Sequence, residues 1–194
     1  MFPQLEALFF ENPWVYRAPP GQYGILFLLR RDINNCLGAE AGMQNRTDRQ
    51  IQWPGAMCIF AGIDLLAKFR AGEDGPKKVG SRFKAFVERF FHLPASEAET
   101  LYQLRNSMLH SFGLYSRGKD GAVYRFTLVS CGARPLVRHT PPDQYLVDVI
   151  SLHEDFEKAV GEYRQALQGD SALQQNFMAM FPNYGAIYIS GGGC

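Results

Sequence analysis

Residues 94–113 read PASEAETLYQLRNSMLHSFG. Ser96 with Glu99 three positions on is a capping-box pattern: the serine side chain accepts from the amide at Glu99, whose carboxylate reaches back. Leu101, Leu104, Met108 and Leu109 then fall on one side of a helix, and Gly113 supplies a stop. An amphipathic helix is predicted here. Set into it are Arg105, the amide Asn106 directly after it, and His110 five positions after the arginine.

The pattern extends in both directions. Upstream, Ile25, Leu28, Leu29, Ile33 and Leu37 predict a helix from Gln22 to about Met43, followed by the polar connection QNRTDRQ. Pro54 suits the first turn of a second helix running to about Arg70. AGEDGPKK breaks it, and Ser81 is read as the cap of a short third helix through RFKAFVERFF. Downstream of Gly113 the period changes. GAVYRFTLVS and RPLVRHT flank CGA and read as the two strands of a hairpin over 121–140. Pro141 and Pro142 open a long helix with a stripe of Tyr145, Val149, Leu152, Phe156, Val160 and Tyr163. A short helix after Ser171 and a terminal strand, GAIYIS, complete the chain, and no internal repeat is visible.

The expected architecture is therefore mainly α: a bundle of four to five helices with a small β-hairpin inserted between the fourth and the last long helix. Residues 1–21, with Pro13, Pro19 and Pro20, read as an irregular aromatic arm packed on the core; 22–168 form the helical domain, and 169–194 a short helix and tail. The 194 residues, 46% of them hydrophobic, suffice for one domain with a substantial core, and no Pro/Gly/Ser-rich linker divides them.

A formal net charge of +1 excludes a globally basic nucleic-acid binder, so any polyanion site must be local. Cys36, Cys58, Cys131 and Cys194 are widely spaced, without C-x-x-C or metal spacing to histidine, and read as thiols of a reducing compartment. MFPQLEALFFENPW has an early Glu6 and no basic n-region, unlike a signal peptide. YGILFLL and GAMCIFAGIDLLAKF are too short or interrupted for the roughly 20 residues a bilayer span needs. A cytoplasmic protein with no membrane partner is expected.

Arginine and histidine at this separation occur about once by chance in a chain of this size. Arg134 and His139 repeat the separation, but Pro135 and Pro141 place them in a strand or loop. Arg105 and His110 differ in lying near the end of a helix with its own start signal, among apolar residues and beside Asn106. LRNSMLH resembles the R-x4-6-H signature of the HEPN superfamily, small helical bundles that include many prokaryotic ribonucleases. AMCIFAGIDLLAKF followed by VGSRFKAFVERFF is similar to the preceding helices of one HEPN subgroup, plasmid- and genome-borne proteins of mostly unassigned role. By element order the resemblance covers roughly residues 22 to 168; only the Arg-Asn-…-His segment is specific at residue level.

The resemblance implies a metal-independent endoribonuclease, a toxin or defence effector with an antitoxin partner, leaving a 2′,3′-cyclic phosphate and a 5′-hydroxyl and using no cofactor. The chemistry agrees. A histidine, with a reference pKa of about 6.5, suits proton transfer at neutral pH, and an arginine's planar fork matches phosphate oxygens. Asn106 can donate to a phosphate or hold the imidazole tautomer. Five positions turn a side chain by about 140° around the helix, so one helix is expected to present the pair poorly to one phosphate. A homodimer with two such helices facing each other would solve this, and composite dimeric sites are what the family implies. The alternative is a non-catalytic module of the same fold that holds a nucleotide or a partner chain.

Other residues support or compete with this reading. Asp64, inside CIFAGIDLLAKF, needs a cationic partner: Arg105, which it would orient, or Arg30 or Arg82. Lys77, Lys78, Arg82, Lys84 and Arg89 can meet RNA phosphates, although such runs are commonly a solvated helix face. His153 and Glu157, at i, i+4 spacing with no further ligand nearby, read as a surface pair rather than a metal site. His92 is a helix-end residue and SGGGC lacks the setting of a phosphate loop. Trp14 and Trp53 read as core before stacking platforms.

Overall fold

Phe2–Phe10, expected to be irregular, forms a helix, α1, with Leu8, Phe9 and Phe10 buried. Leu5, Leu8 and Phe9 stand at helical spacing, which the later prolines obscured. The Phe9 ring lies 4.5 Å from Phe69 and 5.3 Å from Phe177, and Arg164 pairs with both Glu6 and Glu11. In this computed structural model the described residues are 2–12, 21–38 and 52–188. Trp14, Pro13, Pro19 and Pro20, the QNRTDRQ connection, and the SGGGC tail with Cys194 lie outside them.

β1 (Gln22–Gly24) occupies what was read as the start of a helix and pairs antiparallel with β6 (Ala186–Tyr188). Gly24 is required there by close approach, because a Cβ would lie 2.1 Å from the Leu8 carbonyl oxygen. α2 (Ile25–Leu37) stops short of Met43 because Gly38 takes a left-handed conformation (φ 68) and its amide closes on the Asn34 carbonyl.

α3 (Gln52–Ala71) is the central helix. It packs against α2 and against four later helices: α4 (Val79–Phe90), α5 (Ala95–Ser111), α6 (Val149–Gly169) and α7 (Ser171–Tyr184). Ala56, Ile59, Phe60, Ile63, Leu66 and Phe69 bury its sides, so its apolar residues run around the circumference rather than in one stripe. Gly62 admits the Phe156 ring of α6, which a Cβ would meet at 2.6 Å. One apolar cluster draws on all seven helices found among the described residues.

Two expected caps are not formed. The Ser81 hydroxyl donates to the Lys78 carbonyl, and α4 begins at Val79, after a 3-10 turn at Pro76–Lys78. α5 starts from Pro94, whose carbonyl accepts from the Glu97 and Ala98 amides at 3.0 Å, so Ser96 already lies inside the first turn. The Glu99 carboxylate turns away to Lys84 and Gln103. At the other end the left-handed residue is Phe112 (φ 47), not Gly113, and the Gly113 amide reaches the Ser107 carbonyl at 3.0 Å.

The expected hairpin over 121–140 is replaced by a four-stranded sheet. β2 (Tyr115–Arg117), β3 (Val123–Val129), β4 (Val137–Thr140) and β5 (Gln144–Asp148) lie in the order β2-β3-β5-β4. β3 and β4, read as partners, do not touch as a pair. β5 separates them, parallel to β3 and antiparallel to β4, with Tyr145 opposite both Phe126 and His139. The hairpin that does form joins β2 to β3. Tyr145 belongs to this sheet and not to the helical stripe, because Asp148 caps α6: its Oδ1 accepts from the Ser151 amide at 2.9 Å. Among the described residues no helix is long and apolar enough to cross a membrane.

Candidate functional site

α5 supplies Arg105, Asn106 and His110, and α3 supplies Asp64. Arg105 is 9% exposed. Its Nε and Nη2 both donate to Asp64 Oδ2, at 2.8 and 2.5 Å. Its Nη1 donates to Asn106 Oδ1 at 3.0 Å and stands 2.6 Å from His110 Nε2. The partner open to Asp64 in the sequence is therefore Arg105. Arg30 pairs instead with Glu157 of α6, and Arg82 donates to the Gly75 carbonyl at 2.7 Å.

Although five positions turn the two residues about 140° apart around α5, their side chains meet. The arginine side chain runs along the helix far enough to meet the imidazole at the last turn. Two chains are not needed for the pair to form. A guanidinium has only donors, so a hydrogen bond in this contact requires His110 Nε2 as the acceptor, with the ring proton on Nδ1. His110 itself is exposed, while Arg105 lies behind it.

Burial pushes the Asp64 carboxyl above its ordinary value; Arg105, Lys68 and Arg82 pull against that without cancelling it. Asp64, Lys68, Asp74, Arg82 and Arg105 line a cleft of about 220 Å³ between α3 and the start of α4. Asp74 accepts from the Tyr184 hydroxyl at 2.6 Å, which holds its carboxyl below the usual range. The cleft is thus a small, strongly charged recess with both signs present.

On the other side of Pro76 and Val79 runs a groove of about 930 Å³, bounded by α4, α5 and the β2–β3 hairpin. Asn106 lines it, whereas its neighbour Arg105 lines the cleft. Lys77, Lys84, Arg117 and Lys119 bring positive charge to the groove, and Glu99 and Asp120 negative charge. Lys84 is bound to Glu99 at 2.6 Å, Gln103 joins Glu99 at 2.7 Å, and the Ser116 hydroxyl donates to Gln103. Burial favours the neutral form of Glu99, but Lys84 and Gln103 outweigh it and bring the carboxyl below its ordinary value.

Sequence reasoning missed one organising feature. Ser96, Glu99, Gln103, Asn106 and His110 recur at spacings of three, four, three and four, a polar stripe along α5 beside the apolar one. The same periodicity that predicted the helix contains this stripe.

The basic run divides. Lys77 and Lys84 face the groove, Lys78 pairs with Glu73 at 2.9 Å, and Arg82, 5% exposed, turns to the cleft. The guanidinium of Arg89 stands over the Phe90 ring. Elsewhere, Arg134 binds Asp155 and Glu154 while His139 stacks on Tyr145 at 4.6 Å, so that arginine and histidine are not together. His92 Nε2 meets Glu162 at 2.8 Å, and Glu157, 4.0 Å from His153, is held by Arg30. Among the described residues no group of three or more His, Cys, Asp or Glu side chains is arranged to hold a metal ion.

No family model, curated protein or solved structure matches this chain.

Proposed function

We propose that this protein is a metal-independent endoribonuclease of the HEPN type, in which His110 moves a proton and Arg105 binds and stabilises the phosphate. The single observation that carries the reading is the 2.6 Å approach of Arg105 Nη1 to His110 Nε2, behind which Asp64 anchors the same guanidinium.

In this reading an incoming phosphodiester takes over the Nη1 donor from His110. Nε2 is then a free base beside the bound phosphate and accepts the 2′-hydroxyl proton. The 2′-oxygen attacks phosphorus and the bond to the 5′-oxygen breaks, giving a 2′,3′-cyclic phosphate and a 5′-hydroxyl. The leaving oxygen takes up a proton from solvent water, His110 later returns its proton to solvent, and Arg105 offsets the extra charge on the phosphorane. Asp64 fixes the plane of the fork, and Asn106, which lines the groove, would donate to a phosphate oxygen. Lys77 and Lys84 would follow the strand along the groove. The homodimer, the antitoxin and the role as toxin or defence effector rest on the family resemblance.

A second reading is favoured by one observation: Asp64 already neutralises Arg105. A quenched cation suits a module that holds a nucleotide or a partner chain without turnover.

Single-turnover cleavage of a mixed labelled RNA in EDTA separates the two, comparing wild type with His110→Ala and Arg105→Ala at equal oligomer mass. Cleavage that falls on the order of 10²-fold or more in both variants supports the enzyme. Equal cleavage by all three places the activity elsewhere. No cleavage, with nucleotide-dependent thermal stabilisation, supports the module.

A further inference from the structure

Phe112 stands out on two independent counts. It is 74% exposed, more than any other described large hydrophobic residue except Tyr188, so burial gives the fold nothing in return for it. It also holds the left-handed turn after α5 (φ 47), the position that glycine fills most easily, although Gly113 is the next residue. A side chain that costs backbone conformation and returns no packing is a mark of function rather than of folding.

Its surroundings indicate what it meets. Phe112 lies two residues after His110. Tyr115, 47% exposed, follows on β2, with the Arg125 guanidinium 5.8 Å from its ring centre and Arg117 Nη2 3.4 Å from its hydroxyl. Arg125 also pairs with Asp143. Residues 105–125 carry four basic side chains against one carboxylate, Asp120; Arg105 and Arg125 are matched in the fold by Asp64 and Asp143, and Arg117 and Lys119 line the groove. Exposed rings interleaved with cations form the pattern that holds single-stranded nucleic acid: the rings stack on bases and the cations meet phosphates.

We propose that Phe112 and Tyr115 are base-stacking residues for single-stranded RNA, with Phe112 placing the nucleotide next to the phosphodiester held by Arg105 and His110. This rests on the ribonuclease reading for the substrate, but its test does not need cleavage.

The probe is a fluorescent, single-stranded 2′-O-methyl oligoribonucleotide, which lacks the attacking hydroxyl. Its affinity is measured by anisotropy for wild type, Phe112→Ala, Phe112→Gly and Phe112→Trp, with thermal melting and oligomer mass recorded for each. Expected are losses on the order of 10-fold for the alanine and glycine variants and retention by tryptophan. Phe112→Gly is expected to melt higher than wild type while binding worse, a combination that a structural role does not produce. Equal affinity across the series overturns the inference, as does failure of wild type to bind. A lower oligomer mass in Phe112→Ala also overturns it and makes the patch a contact between copies. Phe112-dependent binding without cleavage of a cleavable RNA leaves the inference standing and removes the ribonuclease reading. His110-dependent cleavage with binding indifferent to Phe112 does the reverse.

Discussion

Arg105 and His110, five residues apart on one helix, are joined by a donor that never deprotonates and a nitrogen that must therefore accept. A hydrogen bond here needs Nε2 without its proton, because an Nε2–H would turn a second donor toward the guanidinium. Long-range proton–nitrogen spectra of labelled histidine should show His110 as the Nδ1–H tautomer at neutral pH. In Arg105→Ala the tautomer balance should shift toward Nε2–H. A dominant Nε2–H form in wild type would contradict the contact.

Asp64 accepts two donors from Arg105 on a single oxygen, with both side chains largely buried. Removing the carboxylate leaves a guanidinium without its partner inside the bundle. Asp64→Ala is expected to cost roughly 3 kcal/mol in urea unfolding. Asp64→Asn, which keeps an acceptor, should cost less.

Asp148 is 1% exposed and accepts from the Ser151, Cys131, Gly132 and Ala133 amides and from the Cys131 thiol. Burial would raise its pKa, but the Ser151 amide and then the Cys131 and Ala133 donors outweigh it and bring it down to about 2. A lowered folded-state value means stability that is present above the unfolded carboxylate range, near pH 4, and lost as pH falls toward 2. The contribution is roughly 2 kcal/mol. Denaturation midpoints of wild type should fall across this window more steeply than those of Asp148→Asn.

Gly24 has no room for a methyl group, since a Cβ would meet the backbone of α1 at Leu8. Gly24→Ala should destabilise by about 2 kcal/mol, because the obstacle is main chain and cannot rotate away. Thermal melting checks this, and Gly161→Ala, which meets nothing within 4 Å, is the control.

If RNA follows the groove, Lys77 and Lys119 each neutralise a phosphate. Lys77→Ala and Lys119→Ala should each lower the slope of log affinity against log salt by about 1 without changing base preference. Lys78→Ala, which removes a partner of Glu73 outside the groove, should leave the slope unchanged.

The helices around α3 were legible because their apolar residues repeat at three and four positions, and ranges such as Val79–Phe90 and Ala95–Ser111 lie close to those expected. The caps were less legible. Ser81 and Ser96 have the right chemistry, yet Pro94 and the Pro76 turn start their helices earlier. Strand partners could not be read at all. That Val137 pairs with Val147 depends on Asp148 ending β5 and opening α6, a decision made by an amide sixteen positions away as much as by local sequence. At the candidate site, residue identities were legible and their reach was not. Helical rotation alone separates Arg105 from His110, and only the length and path of the arginine side chain reunite them.

The β1–β6 ribbon joins Gln22 to Tyr188, partners 166 positions apart. During synthesis α1 likewise leaves the ribosome long before the two helices that carry its late partners. Phe9 waits for Phe177, and Glu6 and Glu11 wait for Arg164. Until those later helices are made, the nascent α1 lacks these partners and leaves part of its aromatic surface open, the kind of surface that chaperones meet.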